Sequence, residues 1–197
     1  MKTILITLIT LLSFNLNAQV IDYNNFNTKL ADSLLFVKIN ELRDDLGLSQ
    51  LIYSQVLYDE ISQEVSQIQS DKMKSHHPYH PGSDKRLSPI KSLLKLELNS
   101  TSGYFRGYYE VCSKKVPIRT KNGGYTERLG LIKTYEDLID HIVRGWAINS
   151  PSHREILIGE FSDKNIMLAS GSIILGKYKK GSSYKAVYCS FQIVPLR

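Results

Sequence analysis

The chain has 197 residues, 42% of them hydrophobic and 22% charged, with a formal net charge of +6. That is the size and make-up of one ordinary domain with a real core, without internal repeats or low-complexity stretches. Its basic residues are scattered, with small clusters at Lys114-Lys115 and Lys177-Lys179-Lys180, and no basic run alternates with aromatics. A nucleic-acid surface is therefore not expected, and the mild basicity fits solubility or contact with an anionic envelope.

The chain opens with Met1-Lys2, an apolar run over 4–12 and then Asn15-Leu16-Asn17-Ala18-Gln19. A basic start, a short apolar core and a small residue before the break describe a secretory signal peptide over 1–18, cut after Ala18. The run is too short to cross a bilayer as a stable helix. The other reading is a buried N-terminal helix. Cleavage leaves 19–197 as one domain with no transmembrane segment, and its charge is the +6 of the chain less Lys2, or +5. No cysteine follows the cut, so a lipid anchor there is not supported.

Residues 25–46 predict a helix, because Leu35, Ile39, Leu42 and Leu46 recur at helical spacing and Gly47 is a natural stop. A second helix is predicted over 54–73, with an apolar stripe of Leu57, Ile61, Val65 and Ile68. Residues 75–90 hold Ser75-His76-His77-Pro78-Tyr79-His80-Pro81-Gly82, whose prolines and glycine predict an irregular loop, with a short helix over 90–97. A strand is expected over 104–115, with Glu110 among aromatics and valine. Asn122-Gly123-Gly124 then marks a turn or hairpin.

Thr134 with Asp137 three residues later resembles a capping box at the start of a third long helix. Leu138, Ile139, Ile142, Val143 and Trp146 form its apolar face. His141 falls between core positions and is expected to be structural or exposed. A short helix over 151–158 follows, with Ser150 as N-cap, Pro151 in the first helical position and Gly159 as the stop. Strands at about 165–176 and 183–194 close the chain. Helices first and antiparallel strands last predict one α+β domain.

Two cysteines, Cys112 and Cys189, lie in predicted strands. After export they form either a disulfide or two buried thiols, depending on whether the strands are neighbours. Asn99-Ser100-Thr101 is a glycosylation sequon.

The chemistry-bearing candidates are His76, His77 and His80 in the loop, Glu110 in the strand, and His153 in the first turn of the short helix. The exposed N–H groups of a helix start disfavour an imidazolium, so His153 is suited to stay neutral and hold a metal or polar ligand. The plainer alternatives are a histidine satisfied by local hydrogen bonds and a solvated His/Pro loop. Imidazoles and a carboxylate converging on one cleft would form a zinc-like set, although the spacing matches no self-contained zinc motif. There is no Gly-x-Ser-x-Gly elbow for a serine hydrolase, and Ser150 and Ser152 are explained as caps. A glycosidase pairing of Glu110 with Glu136 or Glu155 has no further support.

Several segments together resemble the CAP superfamily of cysteine-rich secretory proteins, antigen 5 and pathogenesis-related proteins, in its bacterial secreted branch. Asn40, Arg43, Gly47, Leu48 and Leu51 look like the family's "N..R...GL..L" opening. Ser75-His76, the strand Glu110 and the segment Trp146–Leu157, similar to "W..SP.HR..IL", follow in the family's order, and the likeness runs from about 30 to 194. The resemblance implies an α–β–α sandwich with a short antiparallel sheet between helical layers. It also implies a cleft where two His and two Glu can bind a divalent cation such as zinc. His76, Glu110 and His153 match three of those positions, with His77 and His80 as alternatives to His76. Asn149 stands where the fourth carboxylate would be.

The function this implies is that of a secreted or periplasmic binding module at the cell envelope, for a cation, a small polar or lipid ligand, or an envelope component. The alternative is a metal-dependent peptide or ester hydrolase, with Glu110 as general base beside a His-bound metal that activates water.

Overall fold

The computed structural model describes residues 19–72, 83–98, 108–112, 116–118, 132–159, 166–178, 180 and 185–196. The proposed signal peptide, the loop histidines, the sequon and the Asn-Gly-Gly turn lie outside them.

Helix α1, Thr28–Asp45, starts at Asn27, whose side chain accepts from Leu30 N–H. It ends in a Schellman motif: Leu48 N–H bonds Arg43 O and Gly47 N–H bonds Asp44 O, both at 2.9 Å. Gly47 takes φ +69°, a left-handed conformation that a β-carbon disfavours. The turn is also clipped by side chains. Asn40 pairs with both the N–H and the C=O of Leu51 at 2.8 and 3.1 Å. The helix stop and the residues after it thus form one hydrogen-bonded unit.

Strand β1 is only Ile52–Tyr53. Helix α2 then runs without a break through Gln55–Leu57, a π-helical turn at Tyr58–Ser62, and Gln63–Lys72. At the π turn, Ser62 Oγ lies 3.2 Å from Leu57 O, five residues back. The N-terminus of α2 is capped twice. Ser54 Oγ accepts from Leu57 N–H, and the Glu97 carboxylate accepts from Gln55 N–H at 2.7 Å and from Ser54 Oγ–H at 2.5 Å. A carboxylate at a helix N-terminus is favoured by the dipole.

Glu97 arrives at the end of α3, Ser83–Glu97. This helix is longer than the sequence predicts: the expected loop over 75–90 gives way to helix from Ser83, with Pro89 inside it. The cost of an interior proline is offset by packing, because Leu87, Ile90 and Leu94 bury one face against Leu57, Ile61 and Val65 of α2.

The remaining elements are β2 (Tyr109–Cys112), β3 (Val116–Ile118), α4 (Tyr135–Ala147), α5 (Pro151–Ile158), β4 (Ile166–Lys177) and β5 (Lys185–Leu196). The expected capping box of α4 is present: Asp137 N–H bonds Thr134 Oγ1 at 3.1 Å and Thr134 N–H bonds Asp137 Oδ2 at 3.2 Å. Ser150 stands at the N-cap of α5, but its hydroxyl makes no capping bond; its carbonyl accepts Arg154 N–H instead.

The sheet order is β1-β4-β5-β2, with β3 also on β5. Among the described residues every strand pairing is antiparallel except β1 with β4, which is parallel. Helices cover both faces, so the fold is α+β with a sheet between helical layers. Alternation along β4 and β5 splits the core. Met167, Ala169, Ile173, Cys189, Phe191 and Ile193 face α1, α4 and α5 in the larger apolar cluster. Leu168 and Val194 face α2 and α3 in the smaller one. Register settles the cysteines. Cys112 lies opposite Ser190, so Cys189 points to the other face of the sheet; both are buried thiols, and no disulfide joins them.

Candidate functional site

His153 is the third residue of α5, and the elements on either side of it fix its place. Trp146, 2% exposed, anchors the end of α4 in the larger core, and Leu157 does the same for α5. Pro151 then sets the entry into α5 after the two-residue turn at 148–149. The far end of α5 is held by Arg43. Arg43 is 1% exposed, and its guanidinium donates to Leu157 O at 2.7 Å and to Ser49 O at 2.8 Å. These carbonyl groups take the place of a carboxylate, and burial pushes the guanidinium pKa down from its ordinary value. The end of α1 and the end of α5 are thereby joined through one cation.

Between the end of α4, the start of α5 and the edge formed by β2 and β3 lies a cleft of about 710 Å³. His153, His141, Arg144, Ser150 and Ser152 supply its polar lining, over Ile142, Val116 and Trp146. His141, expected to be structural or merely exposed, is half-buried and lines the same cleft as His153. Burial lowers its pKa below the usual imidazole range, so it is neutral at physiological pH. The signal for it was its position four residues before Gly145 and eight before Asn149, one stripe of α4 that continues into the turn. The indole Nε1 of Trp146 is buried and has no hydrogen-bond partner among the described residues. A donor-rich wall over an apolar floor is suited to a small ligand that carries acceptor atoms.

Glu110 lies in β2, half-buried, and is not among the residues that line this cleft. Its carboxylate accepts from the Tyr108 hydroxyl and, at 3.5 Å, faces Cys112 Sγ. Helix α5 packs against β2, but the register sets Glu110 opposite Gln192, on the face of the sheet turned away from α5. His76, His77 and His80 lie outside the described residues. His153, His141 and Cys112 are donors of the type zinc accepts, yet no three His, Cys, Asp or Glu side chains gather into a metal-holding group among the described residues. The fit to a cation thus depends on a ligand from outside them.

No protein-family model matches the chain, and no curated protein does. Among solved structures, an outer surface protein from Borrelia burgdorferi shares the fold. It is 17% identical, with a TM-score of 0.50 over 89% of this chain and 97% of that one. At that identity the likeness is one of fold alone. Among the described residues, no helix is long and apolar enough to cross a membrane.

Proposed function

We propose that the mature chain is an exported CAP-domain protein that binds a small polar ligand at the cell envelope or outside the cell. The observation that carries this reading is the convergence of His153, His141 and Arg144 on one cleft of about 710 Å³. Three features support it further. The sequence resemblance places His153 at a ligand position of the CAP family. The helix–sheet–helix layering is the architecture that resemblance implies. The structural relative carries the name of an outer surface protein. A divalent cation such as zinc enters this reading as a guest of His153, with His76 and Glu110 as the further ligands that the resemblance assigns.

The test is metal analysis of the protein purified without chelator, alongside ligand-induced thermal shifts against zinc and small carboxylates, for the wild type, His153→Ala and His141→Ala. A shift of the melting midpoint in the wild type that disappears in both variants is the expected result. If the purified protein instead hydrolyses peptides or esters, and His153→Ala abolishes turnover without unfolding, the binding-module reading is overturned in favour of the metal-dependent hydrolase. Absence of any shift from every probe removes the cleft as the functional site.

A further inference from the structure

A second cavity, of about 620 Å³, opens between α1 and the π-helical turn of α2. It has no share in the His153 cleft. Three aromatic rings form its wall: Phe36 and Tyr53 meet edge to face with centroids 5.4 Å apart, and Tyr53 and Tyr58 follow at 6.4 Å. Two acidic side chains, Asp32 and Asp59, line it with them, and Lys29 stands exposed at its margin.

Each of these groups is held in place. Tyr58 is the first residue of the π turn, and its hydroxyl donates to Asp32 Oδ2 at 2.6 Å. Asp32 is only 7% exposed, and its other oxygen accepts Ile173 N–H at 2.6 Å. Gln55 Nε2 donates to Asp59 at 2.8 Å. Tyr53 comes from the two-residue strand β1 and remains 43% exposed, a large aromatic surface left open at the mouth. Burial pushes the Tyr53 phenol up from its ordinary range, and the neighbouring Asp32, Asp59 and Glu97 push it the same way.

Aromatic faces are electron-rich and attract cations that shed water easily, and carboxylates strengthen that attraction without requiring N–H donors on the ligand. A neutral apolar ligand would gain nothing from the exposed Asp59 carboxylate, and an anion would be repelled by it. We infer that the cavity walled by Phe36, Tyr53 and Tyr58 and lined by Asp32 and Asp59 is a binding site for a small alkylammonium cation of the choline type. The same group arrives either as a free compound or as the headgroup of a choline lipid.

The experiment titrates the full mature chain with choline and with 3,3-dimethylbutan-1-ol, the neutral carbon isostere, by calorimetry or by NMR of the tyrosine rings. Choline is expected to bind at least about tenfold more tightly than the isostere, and Tyr53→Ala or Asp59→Asn to weaken it by about tenfold. Both side chains are exposed enough for the variants to fold. His153→Ala is expected to leave choline binding unchanged, which separates this site from the proposed function of the other cleft. Co-sedimentation with phosphatidylcholine vesicles but not phosphatidylglycerol vesicles identifies the lipid headgroup as the source, and binding of free choline alone identifies a soluble one. Equal binding of the isostere, no binding of choline, or full affinity in Tyr53→Ala overturns the proposal.

Discussion

The two faces of the central sheet are built from alternate residues of the same two strands, yet they are held in different ways. Toward α1, α4 and α5 the strands present Met167, Ala169, Ile173, Cys189, Phe191 and Ile193, an apolar surface. Toward α2 they present Ser170, Ser172, Ser190 and Gln192, all buried. Those side chains meet Ser62 and Ser66. Ser62 Oγ donates to Gln192 Oε1 and lies 2.5 Å from Ser170 Oγ, while Ser66 Oγ reaches Ser172 O at 2.8 Å. The apolar face stabilises by burial, which is non-directional, and tolerates repacking at constant volume. The polar face stabilises only if the hydroxyls stay in register, so it fixes where α2 sits on the sheet.

The largest effect is expected on the apolar face. Phe191→Ala empties a site that is 0% exposed and packs against Phe36, at a cost of about 3–5 kcal/mol in chemical denaturation. An effect below about 1 kcal/mol would remove Phe191 from the centre of that core. Gly171 shows how tightly the same face is filled: a β-carbon there would stand 2.6 Å from Phe191 Cδ2 and 2.8 Å from Leu35 Cδ2.

Next comes Asp32, the one buried acidic residue on that side of the sheet among the described residues. Burial raises the pKa of Asp32 from 3.8 to about 7, against the two hydrogen bonds that favour its ionised form. The folded chain therefore holds a proton on Asp32 that the unfolded chain loses near pH 4. Stability is greatest below the unfolded value, falls as pH rises toward 7, and is level above it. The fall is on the order of 4 kcal/mol, and Asp32→Asn flattens it, because an amide still accepts Ile173 N–H and can still pair with the Tyr58 hydroxyl. Urea midpoints at pH 4.5, 6 and 8 for both proteins check this. A wild-type slope of the opposite sign would place the ionised form in the fold.

The smaller effect belongs to the polar face. Ser62→Ala leaves Gln192 Oε1 without its donor in a buried site and costs about 1–3 kcal/mol, whereas the double variant Ser62→Ala with Gln192→Leu recovers much of the loss. Full additivity of the two changes in a denaturation cycle would show that the network sets nothing.

Much of this architecture was legible as periodicity and punctuation. The α4 stripe, its capping box, the extent of α5 and the final pair of strands follow from apolar spacing, Thr134 with Asp137, and Pro151 with Gly159. The α3 helix was not legible, because Pro89 and the preceding Pro/Gly loop argue for irregular chain, and the packing that overrides them lies in α2. The polar seam was hidden for a similar reason: serines and glutamine in a strand give no sign that they face matching serines on a helix more than 100 positions away. At the candidate site, His153 stood out through its helix start, whereas His141 was masked by its core neighbours. Arg43 carried no sign that its partners would be carbonyls.

The separation of Cys112 and Cys189 by the sheet keeps the folded chain from closing a disulfide between them. One thiol sits on each side of a continuous β-layer, and burial pushes the Cys189 thiol well above its ordinary range, so it supplies little thiolate. The fold is thus held without a covalent link between its two cysteines.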